Sequence, residues 1–135
     1  MEDQPTTGTF SHRHKGFDQQ PTDFYTRTFF LAVDSFLYPV LTKVFSYIWP
    51  NFCIANKPTH EVIMDYIRNI FLTYPKVPKF LFTFRSEPSH NDINAIQAID
   101  GDFKKFLESL NAMGIYNNTI VILMSDHGAR FQSIR

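Results

Sequence analysis

The chain has 135 residues and a formal net charge of zero, 13 Lys and Arg against 13 Asp and Glu, which suits one domain or a piece of one. With no surplus of basic charge, long-range attraction to nucleic acid or an anionic membrane is excluded as its main mode of action. At 44% hydrophobic and 16% aromatic, with 5 Gly and 8 Pro, it is too apolar for a disordered tail and carries no low-complexity bias. Fifteen residues are Phe, and a lone domain of this size buries only about two-thirds of its unfolded surface, so some rings are expected to pack against a partner or the rest of a larger domain.

Residues 1–22 are polar, broken by Gly8, Gly16, Pro5 and Pro21, and read as loop. They contain no apolar run and open with Glu2 and Asp3 rather than a basic region, so no signal peptide is expected in this chain. His12 and His14 lie between basic neighbours in this irregular segment and read as solvated side chains rather than metal ligands. The stretch 23–75 reads as a helical, aromatic-rich segment that opens on a short helix, with Thr22 and Asp23 supplying cap chemistry. Its most lipid-like part, residues 28–56, is cut by Asp34, Pro39, Lys43 and Pro50 and offers no run of about 18 uncharged apolar residues, so no membrane span is expected. The lone Cys53 excludes an internal disulfide and a cysteine-rich metal site.

A clearer pattern follows Pro58. Val62, Ile63, Tyr66, Ile67, Ile70 and Phe71 share one face of a helix that ends before Pro75. Glu61 in its first turn suits the helix dipole, and His60 reads as an exposed or capping residue rather than a ligand. Residues 79–84 form a short apolar run bounded by prolines and charges, the pattern of a buried strand. From Asn91 to Met113 the helix period returns with Ile93, Ile96, Ile99, Phe103, Phe106, Leu107, Leu110 and Met113, with Gly101 as an interruption that leaves room for a bend and a left-handed stop at Gly114. Asn117-Asn118-Thr119 is a glycosylation sequon whose simpler reading is a turn. Thr119 to Met124 then forms a second buried strand, β-branched and uncharged. Residues 79–128 thus read as a βαβ unit within an α/β fold.

A right-handed crossover makes the two strands parallel and brings their carboxyl ends to one edge of the sheet, where open α/β sheets bind ligands. The first strand leads into Ser86-Glu87-Pro88-Ser89-His90 and the second into Ser125-Asp126-His127-Gly128. Asp126 and His127 offer a hard oxygen and a borderline nitrogen, a ligand pair that suits zinc, manganese or a similar divalent ion. His90, with Glu87 three residues before it, is the candidate to complete that site, hold a second ion or meet the substrate anion. The competing reading of Asp126-His127-Gly128 is a plain turn, with Asp bonding local backbone N–H groups and Gly supplying a positive φ.

The run from Asn117 to Gly128 resembles the strand and metal-binding loop of the alkaline phosphatase and sulfatase superfamily. More narrowly, the chain is similar to an uncharacterised animal family of sulfatase-like proteins found in nematodes and insects, a domain of unknown function. The matching stretches are Glu2 to Pro5, Lys15 to Phe17, Pro21 to Tyr25, Cys53, Lys79-Phe80, Ser89-His90, Asp100, and Ser125 to Gly128 followed by Arg130-Phe131.

That resemblance implies a partial alkaline-phosphatase-like or sulfatase-like fold with a mostly parallel sheet, and hydrolysis of phosphate or sulfate esters at a divalent metal, most simply zinc, with manganese, magnesium or calcium as alternatives. Asp126 and His127 would ligate one ion, with His90 near a second ion or the substrate anion. The superfamily's nucleophile, a further Asp ligand and a further His ligand have no identifiable counterpart here, and Ser86 stands where a carboxylate usually lies four residues before the His, with Glu87 one place along. Residues 1–135 are therefore expected to be a fragment of one such domain, inactive alone, with the ester substrate belonging to the parent protein and an extracellular or secretory location following from the resemblance. The alternative is a non-catalytic binding or structural module that keeps the fold without the chemistry.

Overall fold

The structure is a computed structural model that describes residues 22–30, 32, 33, 35, 36, 53–84, 93–125, 127 and 128. The chain divides into two compact units, one from Met1–Ile54 with Lys79–Glu87 and the other from Ala55–Pro78 with Pro88–Arg135.

In the first unit the described residues 27–30, 32, 33, 35 and 36 are helical. The helix begins later than its expected cap. Thr22 Oγ1 donates to the Phe24 carbonyl at 3.0 Å, and the first turn is closed by Phe29 and Phe30 N–H groups on the Thr26 carbonyl, at 3.0 and 3.3 Å. Phe30 is buried and meets the Phe29 ring edge-on, centroids 5.2 Å apart, while Phe29 stays half exposed. Residues 79–83 have no regular structure and Phe84 carries an isolated bridge, so the expected strand is not formed as a ladder here. Phe80 is 90% exposed.

Strands β1 (Cys53–Ile54) and β2 (Lys57–Pro58) pair as a two-residue-loop hairpin, the only sheet among the described residues. Its loop holds Ala55 at φ 55°, a left-handed conformation that an L-residue with a Cβ adopts at a cost.

The second unit is built on two helices, α1 (Thr59–Thr73) and α2 (Gln97–Ala112), the latter entered through a 3₁₀ turn at Ile93–Ile96. Helix α1 stops where the sequence reading put it, ahead of Pro75, which cannot supply the next amide donor. It buries Thr59, Ile63, Met64 and Phe71, and α2 buries Phe106 and Leu110 one turn apart. Full burial of each large apolar side chain contributes roughly 1.5–3 kcal/mol, so this small set supplies most of the drive for the pair. Gly101 produces no interruption: α2 runs through it, and a Cβ there would meet nothing within 4 Å. One glycine weakens a helix by only about 1 kcal/mol, less than the burial of Phe106 and Leu110 returns.

At the far end, Gly114 adopts φ 71° as expected, its N–H bonding the Asn111 carbonyl at 2.9 Å while that of Met113 bonds the Ser109 carbonyl at 3.0 Å. A Cβ at Gly114 would also crowd Asn117 Nδ2 at 3.2 Å. Ile115–Asn117 forms a 3₁₀ turn, anchored by Tyr116 Oη donating to the Leu107 carbonyl at 3.0 Å. The sequon region is thus a turn.

Two cross-helix ties fix the sense of packing. His60 Nε2 lies 3.1 Å from Asp102 Oδ2 near the start of both helices. Further along, Arg68 Nε donates to Ser109 Oγ at 3.2 Å, and the Arg68 guanidinium sits over the Phe106 ring, 5.8 Å from its centroid. Moving from one tie to the other advances about 12 Å along α1 and about 10 Å along α2 in the same direction. The helices therefore run parallel. A short helical-hairpin turn would have made them antiparallel.

The run 119–125 that follows is in no regular element. Ile120, Ile122, Leu123 and Met124 are 89%, 77%, 72% and 80% exposed. The expected buried strand is not formed among the described residues, where no strand pairs with this run.

Candidate functional site

The loop after residue 124 holds the first site candidates. Ser125, His127 and Gly128 are described and exposed, whereas Asp126, His90 and Glu87 lie outside the described residues. Ser125 Oγ donates to the His127 carbonyl at 2.7 Å, which tightens the loop onto itself. The His127 ring nitrogen Nδ1 lies 2.7 Å from the Gly128 carbonyl. A carbonyl oxygen only accepts, so in the neutral ring the proton sits on Nδ1 and the lone pair on Nε2. This is how backbone carbonyls prepare metal-ligating histidines: the second nitrogen's hydrogen bond fixes the tautomer and the ring orientation. The chemistry of His127 thus fits a divalent ion. Gly128 does not have the positive φ of the competing turn reading, and a Cβ at this position would meet nothing within 4 Å.

A second group, which the sequence reading passed over, lies on the helix pair. One donor atom each from His60, Glu61 and Asp102 lie within 4.8 Å of one another, and all three residues are half-buried. His60 and Glu61 occupy the first turn of α1, and Asp102 projects from the second turn of α2. The His60 side chain is only 14% exposed, and α1 has no side-chain cap bond, so His60 is neither an exposed nor a capping residue. Asp102 divides its oxygens: Oδ2 faces His60 and Oδ1 accepts from Lys105 Nζ at 3.2 Å. The hydrogen bond from His60, then that from Lys105, holds the Asp102 carboxyl below its ordinary value. A sequence signal existed, since Asp102 and Phe106 stand four residues apart on one face. The period cannot say which residue of another helix that face meets.

Beside this cluster, Asp65 bonds Lys57 Nζ through Oδ2 and accepts from Arg68 Nη1 at 2.6 Å through Oδ1. The Lys57 bond is the main cause of its lowered pKa, opposed by partial burial and aided by Arg68. Arg68 therefore links Asp65 on its own helix to Ser109 on α2, and Ser109 Oγ donates in turn to the Phe106 carbonyl at 2.7 Å. This is a positioning network with no open ligand position.

No helix among the described residues is long and apolar enough to cross a membrane. Comparison with known proteins gives one family: the family described as Protein of unknown function (DUF229) matches over residues 1–135. No curated protein and no solved structure matches.

Proposed function

Since the chain belongs to the DUF229 family of proteins of unknown function, we propose that its residues form part of a metal-dependent phosphate- or sulfate-ester hydrolase with an α/β, mostly parallel fold of the alkaline-phosphatase and sulfatase kind. The observation that carries this reading is the His127 ring, held through Nδ1 by a backbone carbonyl so that Nε2 presents a lone pair. The parallel packing of α1 and α2 supports the fold. Neighbouring parallel helices on one sheet face are the product of repeated crossover connections, and each connection returns through a strand. Run 79–84 is the returning strand in this reading, and 119–124 is its parallel partner.

The exposed apolar side chains of 120–124 fit the same account. Parallel strands are buried on both faces, so a run apolar on both sides calls for neighbouring strands and covering helices. In the assembled enzyme, Asp126 and His127 would hold one divalent ion, most simply zinc, with His90 and Glu87 serving a second ion or the substrate anion. The ion supplies Lewis-acid stabilisation of a transferring phosphoryl or sulfuryl group. His127 contributes a fixed ring, and Ser125 braces the loop from which it projects. An extracellular or secretory setting belongs to the same proposal.

Zinc titration of the chain tests it. Wild type is expected to bind an equivalent of zinc that Asp126→Ala and His127→Ala each abolish, while aryl phosphate and aryl sulfate are not turned over by residues 1–135 alone. Strong metal-dependent turnover by these residues would overturn the fragment reading. Unchanged zinc binding on Asp126→Ala would favour the non-catalytic module instead, which the exposed apolar run suits as a partner-binding surface.

A further inference from the structure

We propose that His60, Glu61 and Asp102 form a separate divalent transition-metal site that clamps α1 to α2. The donor set is one imidazole and two carboxylates, the borderline-plus-hard combination that suits zinc, leaving a fourth position for water. The geometry is close to what an ion needs. Tetrahedral zinc with bonds of about 2.0–2.1 Å places neighbouring donors about 3.4 Å apart. His60 Nε2 and Asp102 Oδ2 are already 3.1 Å apart, and the widest separation in the triad stays within 4.8 Å, a gap that a carboxylate rotamer change closes.

His60 and Asp102, 3.1 Å apart, come from different helices, so the site joins elements rather than decorating one. The third ligand distinguishes an ion site from a simple His–Asp hydrogen bond. That bond needs only His60 and Asp102. Glu61 takes no part in it and has no ion-pair or hydrogen-bond partner among the described residues, yet it stands half-buried beside the pair. Two carboxylates around one imidazole balance the charge of a divalent ion. Lys105, whose side chain is 77% exposed, can swing from Asp102 into water as the ion enters. The positive end of the α1 dipole opposes the ion, and the paired carboxylates are what overcomes it.

This site does not depend on the proposed ester chemistry, and the test separates the two. The full chain carrying Asp126→Ala and His127→Ala together lacks the loop ligands. In that background, calorimetric titration with zinc is expected to show one equivalent bound, with cobalt giving the visible absorption of a low-symmetry tetrahedral site and zinc raising the thermal midpoint. Glu61→Gln in the same background is expected to weaken zinc binding by roughly tenfold or more, at least the cost of losing an outer-shell partner, with an unchanged circular dichroism spectrum because it breaks no existing bond. Asp102→Asn is expected to weaken it similarly, and if that variant loses helix content, Glu61→Gln alone decides. No zinc uptake by the loop-less background, or identical isotherms with and without Glu61→Gln, would overturn the proposal.

Discussion

The α1–α2 face and the run 119–124 are similarly apolar but end in opposite states. Ile63 and Leu110 are each 3% exposed, whereas Ile120 is 89% and Ile122 77% exposed. The difference lies in the backbone. A helix satisfies its own N–H and C=O groups, so two helices need only meet to bury their faces. An extended run leaves its backbone groups to a neighbour and becomes a strand only where another strand lies beside it. In this molecule, apolar character decides what can be buried, and the availability of a hydrogen-bonding neighbour decides what is.

The largest expected effect is at the centre of the helix face. Leu110→Ala should cost about 2–5 kcal/mol in urea denaturation, while Ile122→Ala should stay within about 0.5 kcal/mol. A cost at Ile122 matching that at Leu110 would break the comparison, by showing the run buried in solution. Next is Arg68→Ala, which removes the Ser109 hydrogen bond and the contact over Phe106. Arg68 is partly exposed, so the expected loss is about 1–2 kcal/mol, and Arg68→Lys should not fully restore it because the fork and the ring stacking are both lost.

Acid should weaken the helix face selectively. Asp65 and Asp102 both have carboxyls held below the ordinary value of 3.8. A depressed pKa stabilises the fold above that value, and the contribution is lost as pH falls through the lower folded values. Urea midpoints should therefore drop as pH is lowered below about 4, and Asp65→Asn should flatten that slope. The smallest effect is expected at the hairpin: Ala55→Gly relieves the φ 55° conformation and should gain a few tenths to about 1 kcal/mol, because the greater freedom of the unfolded glycine offsets part of the relief.

Helices α1 and α2 were legible because their apolar periods, the Pro75 that follows α1 and the Gly114 stop of α2 are all local signals. His60 was misread because its partner, Asp102, comes from another helix, and no local pattern couples them. Gly101 does not interrupt α2, because a helix held by Phe106 and Leu110 tolerates one glycine. Runs 79–84 and 119–124 have strand composition, but composition cannot provide a neighbouring strand. Of the loop candidates, His127 alone falls within the described residues, and its ring orientation rests on the Gly128 carbonyl, which side-chain identity does not reveal.

The proposed role of His127 is that of a metal ligand at the end of a strand-like run, its ring held by the Gly128 carbonyl. Zinc titration of the intact chain beside its His127→Ala variant tests this most directly. The variant is expected to lose one equivalent of bound zinc while its circular dichroism spectrum is unchanged. Superimposable isotherms for the two proteins would contradict it.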